Sequence, residues 1–135
     1  METCTEAYRY LDNAKEILRT KAKKEGKFYN DVKYVRMACN TAYSGLLVAL
    51  QDFFTQKGII MPKQKGKRKQ AVNVDFYKQN LAKINKKKLR EFNEAYSYLH
   101  LYGGYDGSLA VNTSKTGFEF AKSIIDWIAK QMINK

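Results

Sequence analysis

The sequence is short of several things, and each shortage closes off a class of protein. Among its 135 residues there is one proline, Pro62. Scarce proline lets helices run unbroken, because no ring removes a backbone donor from their interiors. There are two cysteines, Cys4 and Cys39, and one histidine, His100. Two thiols so spaced are neither a disulfide framework nor a zinc signature, and a single imidazole cannot complete a metal site. No metal or cofactor is therefore expected, and Cys39 is expected to be a small buried hydrophobe. The longest apolar patch, Gly45 to Leu50, falls far below the ~20 residues that span a bilayer. The start, Met1 to Glu6, is polar and acidic and lacks the basic-then-apolar pattern of a leader, so the expected compartment is the cytoplasm. Acidic side chains are also few: 13 against 25 Lys and Arg, a net charge of +12. That imbalance speaks to solubility and polyanionic partners, not to fold.

What remains is enough for one core. Hydrophobic residues make up 44% of the chain, with ten Tyr and seven Phe. Residues 1–135 read as a single domain, with no internal repeat. The first segment reads as a helix from Thr5 to Lys23. Ala7, Tyr10, Leu11, Ala14, Ile17 and Leu18 form one stripe, Thr3 with Glu6 offers a capping box, and Gly26 is expected to end it. A long second helix starts at Asn30 or Asp31. It carries Val35, Ala38, Cys39, Ala42, Leu46, Ala49, Leu50 and Phe53 at helical spacing and stops at Lys57-Gly58. Its small residues, Ala38, Ala42, Gly45 and Ala49, invite close packing by a neighbour.

A basic loop, residues 62–72, follows. A short helix is expected over Val74 to Ile84 and another over Lys86 to Leu101. The Gly-rich segment 102–107 reads as a tight turn with positive φ. The last helix is expected from Thr113 or Ser114, with Phe118, Ala121, Ile124, Ile125, Ile128 and Met132 buried. Leu109 to Val111 is the one short strand-like stretch. The expected fold class is all-α: an up-and-down bundle of four to five helices with a long second one.

The long helix contains Asn40-Thr41-Ala42-Tyr43-Ser44-Gly45-Leu46-Leu47 and closes on Gln56-Lys57-Gly58. Later comes Leu99-His100-Leu101-Tyr102-Gly103-Gly104-Tyr105-Asp106. In that layout the chain resembles the HEPN family of small helical bundles. The resemblance implies a homodimer and, as known roles of the family, ribonuclease activity, partnership with a nucleotidyltransferase-type protein, or binding. Family ribonucleases use an Arg, four to six residues, then a His. Here nine residues separate Arg90 from His100, on the order of 15 Å along a helix axis. The chain reads as a divergent member without that motif, and a non-catalytic binding module is expected in place of an enzyme.

Two cationic clusters are the candidate anion or nucleic-acid sites: Lys63, Lys65, Lys67, Arg68 and Lys69, then Lys83, Lys86, Lys87, Lys88 and Arg90. Such clusters bind phosphate backbone without reading sequence, and equally serve as solvated surface. Tyr43, Tyr98, His100, Tyr102, Tyr105 and Asp106 mark a candidate ligand or dimer surface. Tyr stacks on bases and is enriched at interfaces, and it also packs cores. His100, beside the glycines, is the one weak candidate for catalysis, set against a structural role. A divergent ribonuclease and a purely structural oligomerisation domain are the alternatives.

Overall fold

The structure is a computed structural model and is described for residues 4–62 and 73–133. Among these residues five α-helices, two of them extended by wide turns, form an all-α bundle with one small hairpin. Helix α1 spans Thr5–Ile17 and buries Ala7, Leu11 and Ala14. It widens into π turns over Leu18–Ala22. Thr3 of the expected capping box lies outside the described residues. Cys4 holds the cap position, in a left-handed conformation and without a side-chain cap bond.

The helix does not reach Gly26. It stops at Ala22, and Lys23 turns the chain with φ 56° and ψ 114°. Strands β1 (Lys24–Glu25) and β2 (Phe28–Tyr29) then pair antiparallel, Lys24 with Tyr29 and Glu25 with Phe28. Gly26, at φ 65°, opens the two-residue loop of this hairpin, where glycine is the residue that tolerates the geometry. Strands of two residues are too short to leave an alternating pattern, so the sequence gave no warning of them. The strand-like stretch at Leu109 contributes a single bridge, Ala110 to Phe28.

Helix α2, Val32–Gln56, is the central staff. The Asp31 carboxylate accepts the Lys33 backbone N–H at 3.0 Å and caps its start, and Gly58, at φ 81°, follows its end. Val35, Ala38, Ala42, Leu46, Ala49 and Leu50 are fully buried, each large apolar one contributing about 1.5–3 kcal/mol. Small residues bring α1 close: a Cβ on Gly45 would meet Tyr10 Cβ at 2.6 Å and the Ala7 carbonyl at 3.0 Å.

Helix α3 spans Val74–Ile84 and α4 spans Lys86–Ala95, capped by Asn73 and Asn85. The Tyr77 ring of α3 stacks on Phe92, centroids 6.2 Å apart, and its hydroxyl accepts from Gln51 at 2.7 Å. Beyond Ala95 the chain continues as π turns over Tyr96–Tyr105. Gly103 and Gly104 therefore lie inside a helical segment and not in a positive-φ turn; in this segment of the chain only Gly107 has that geometry, at φ 70°. The two glycines supply room. A Cβ on Gly103 would sit 2.3 Å from Cys39 Sγ, and one on Gly104 2.2 Å from Asn40 Oδ1 and 2.8 Å from the Leu99 carbonyl. Helix α5, Val111–Ile133, begins two to three residues before the expected caps, which places Ser114 inside the helix and buried. It packs against α2, α4 and the second π segment. No described helix is long and apolar enough to cross a membrane.

Candidate functional site

The structure separates the cationic candidates. Lys63, Lys65, Lys67, Arg68 and Lys69 lie outside the described residues. Lys83, Lys86, Lys87 and Arg90 are exposed around the α3–α4 junction. Lys88 turns inward. Its ammonium donates to both Glu91 carboxylate oxygens at 3.0 and 3.1 Å and lies over the Trp127 ring. Ser123 donates to the same carboxylate at 2.6 Å. Burial pushes Glu91 up, but the Ser123 and Lys88 hydrogen bonds and the charges of Lys88 and Lys87 outweigh it. They hold Glu91 below the usual Glu range.

The aromatic candidates also divide. Tyr43 is buried, and burial raises its hydroxyl above the usual tyrosine range, with nearby Tyr96 and Tyr77 adding to the shift. The His100 ring packs 5.0 Å from Tyr43 and 5.1 Å from Tyr96, centroid to centroid, and Lys78 lies over Tyr96. Tyr102, Tyr105 and Asp106 are exposed. Tyr98 stands edge-on to Tyr102, centroids 5.5 Å apart, and stacks on Phe120 of α5 at 6.4 Å and 22°. Cys39 is sealed in the core, where burial pushes its thiol up to about 12. It is an inert packing group and not a nucleophile. Among the described residues no group of three or more His, Cys, Asp or Glu could hold a metal ion.

Two recesses flank α5. One, of about 430 Å³, lies between α4 and α5 and is lined by Lys87, Arg90, Glu91, Asn93, Glu94 and Phe120. Residues 87, 90, 91 and 94 follow helical spacing, so α4 turns one face to it. The Asn93 side-chain oxygen is buried there without a hydrogen-bond partner among the described residues. Phe120 joins this recess to the Tyr98–Tyr102 pair, which makes one surface of cations and aromatic rings.

The second recess, of about 480 Å³, lies where the π end of α1, the hairpin and the first half of α5 meet. Its floor is Leu18, Tyr29, Val111 and Phe118, and Lys15, Arg19, Lys24, Lys115 and Lys122 stand around it with one acid, Glu119. Two of the cations are already engaged, Arg19 with Glu16 at 2.7 Å and Lys122 with Asp126 at 2.8 Å. The sequence reading missed this recess. The α5 members recur at 111, 114, 115, 118, 119 and 122, a single helical face, and that spacing could have disclosed it. The reading searched for runs of charge, and these cations are scattered singly along two helices.

Comparison with known proteins places the chain in a family without assigning a role. No curated protein matches it. A solved structure described as a protein of unknown function from Dyadobacter fermentans is 44% identical, with a TM-score of 0.81. The match covers 96% of this chain and 94% of that one. The profile of a domain of unknown function, DUF5618, matches residues 2–130, nearly the whole length, and the chain therefore belongs to the DUF5618 family.

Proposed function

We propose that the domain is a non-catalytic binding module that takes single-stranded nucleic acid along the α4–α5 flank. The carrying observation is Phe120. It lines the recess that holds Lys87 and Arg90, and it stacks on Tyr98. Cations beside stacked rings are what a sequence-tolerant strand needs: charge for phosphate and flat faces for bases. The inward pairing of Lys88 supports this reading, because it neutralises Glu91 at the recess and leaves Lys87 and Arg90 to set the field.

A labelled oligonucleotide followed by anisotropy across a salt series tests it. Affinity is expected to fall steeply with salt. Phe120→Ala is expected to weaken binding by about tenfold. Lys87→Gln with Arg90→Gln is expected to flatten the salt slope by about two. Absence of binding at low salt would end this reading. An RNA probe is expected to emerge uncut, whereas cleavage lost on His100→Ala would move the assignment to a divergent ribonuclease.

A second observation favours self-association. Phe28, Val32, Leu109 and Tyr105, all exposed, gather where the hairpin meets the loop before α5. A homodimer through this end would cover them. Sedimentation of the Phe28→Lys variant tests it, with loss of a dimer expected and an unchanged monomer overturning it.

A further inference from the structure

The recess between α1, the hairpin and α5 has a division of labour that the α4–α5 flank lacks. Its floor is apolar, and its polar wall residue, Ser114, turns its hydroxyl to the Val111 carbonyl at 3.3 Å. A body with many hydrogen-bonding edges, such as a nucleobase, would find few partners there and would lose those it had in water. Above the floor the charge is one-sided. Among the described residues Lys15, Lys24 and Lys115 carry no ion pair. Its volume, about 480 Å³, falls in the range of small-molecule sites, roughly 300–1,000 Å³.

A backbone feature points to the same place independently. Lys23 is a non-glycine residue held at φ 56°, a conformation that costs about 1–3 kcal/mol and persists only where the surroundings enforce it. Its N–H donates to the Leu18 carbonyl at 3.0 Å and its carbonyl accepts from Asn30 at 3.1 Å. This bend carries the chain out of the α1 helix so that the next residue, Lys24, stands at the rim and Tyr29, its strand partner, at the floor.

We propose that this recess binds a small amphipathic organic anion. Its apolar body would lie over Leu18, Val111 and Phe118, and its carboxylate would face Lys15, Lys24 and Lys115. The site is separate from the nucleic-acid surface and stands whether or not that reading holds.

The test uses three probes on the full chain, followed by amide chemical shifts: octanoate, which has both parts, 1-octanol, which has the chain alone, and acetate, which has the charge alone. Octanoate is expected to shift the amides of Leu18, Tyr29, Ser114 and Phe118 in a saturable way. The alcohol is expected to bind roughly five- to tenfold more weakly, and acetate not to saturate. The exposed double variant Lys15→Gln with Lys115→Gln should fold as the parent does and lose a similar factor for octanoate but not for octanol. Octanol binding as tightly as octanoate would overturn the proposal, as would shifts centred elsewhere or a double variant with unchanged affinity.

Discussion

Helix α5 offers different chemistry to its two flanks from residues only two positions apart. Phe118 faces the apolar, cation-rimmed recess beside α1, and Phe120 faces the cation-and-ring surface beside α4. Each flank adjoins a helix that widens into π turns, yet the two segments are accommodated by opposite means. The one ending at Ala22 is followed by Lys23 in a strained positive-φ conformation, and a recess opens behind it. The one ending at Tyr105 keeps ordinary backbone angles at Gly103 and Gly104 and uses their missing side chains to press against α2. A widened turn is therefore not itself a site. It makes a hollow where strain bends the chain away, and a sealed contact where glycine lets it settle.

The sealed contact is where the largest effect is expected. Alanine at Gly104 gains about 0.5–1 kcal/mol of helix preference. It also places a methyl 2.8 Å from the Leu99 carbonyl and 2.2 Å from Asn40 Oδ1, and a backbone oxygen cannot rotate away. Overpacking of that kind costs about 2–3 kcal/mol beyond the propensity gain. Thermal unfolding of Gly104→Ala should show a midpoint lowered by roughly 5–10 °C. An unchanged midpoint would show that the second π segment is loosely seated and that the contrast between the flanks is false.

A middling effect is expected from the ion pair that closes the α4 side. Lys88 and Glu91 side chains are each only 13% exposed, so Glu91→Gln strands a largely buried ammonium and should cost about 2 kcal/mol. The pH dependence has a definite sign. Glu91 is held below its ordinary value in the folded protein. Its contribution is present in full above the ordinary carboxylate value, about 4.3. It is lost as pH falls below that and through the lowered folded value. Urea unfolding at pH 7 and at acid pH should show a gap between parent and variant that narrows at the acid end. A constant gap would mean that packing, and not charge, holds this flank together.

The regular parts of this architecture were legible in the sequence for a physical reason. Val35 to Phe53 repeat at helical spacing because α2 buries one continuous stripe, and Asp31 and Gly58 mark its ends with side chains suited to those ends. The irregular parts were not. After Tyr96 the turns widen, so arguments from 3.6-residue spacing about His100 and the tyrosines no longer apply. Gly103 and Gly104 carry the composition of a turn, yet their role depends on Cys39 and Asn40, more than sixty residues earlier in the chain. Of the second cationic cluster, composition gave the surface positions of Lys86, Lys87 and Arg90, while the inward turn of Lys88 depends on Ser123 in another helix. The recess beside α1 draws on three separate elements, and no local window contains it.

The smallest effect, and the sharpest test of the comparison, concerns Lys23. If its positive φ is strain, glycine relieves it at once, because glycine has no Cβ to clash. Glycine also gives the unfolded chain more freedom, which returns part of the gain. The net expectation for Lys23→Gly is a stabilisation of about 0.5–1 kcal/mol, opposite in sign to Gly104→Ala. Hydrogen exchange at Asn30, whose N–H reaches back to the Ala22 and Lys23 carbonyls at 3.1 Å, reports whether the hairpin keeps its place. Stabilisation with Asn30 still protected would show that the bend is imposed by the contacts around it. Destabilisation would show that the Lys23 side chain contributes to holding the hairpin over the recess, and the two π segments would then differ in side-chain chemistry and not in backbone strain.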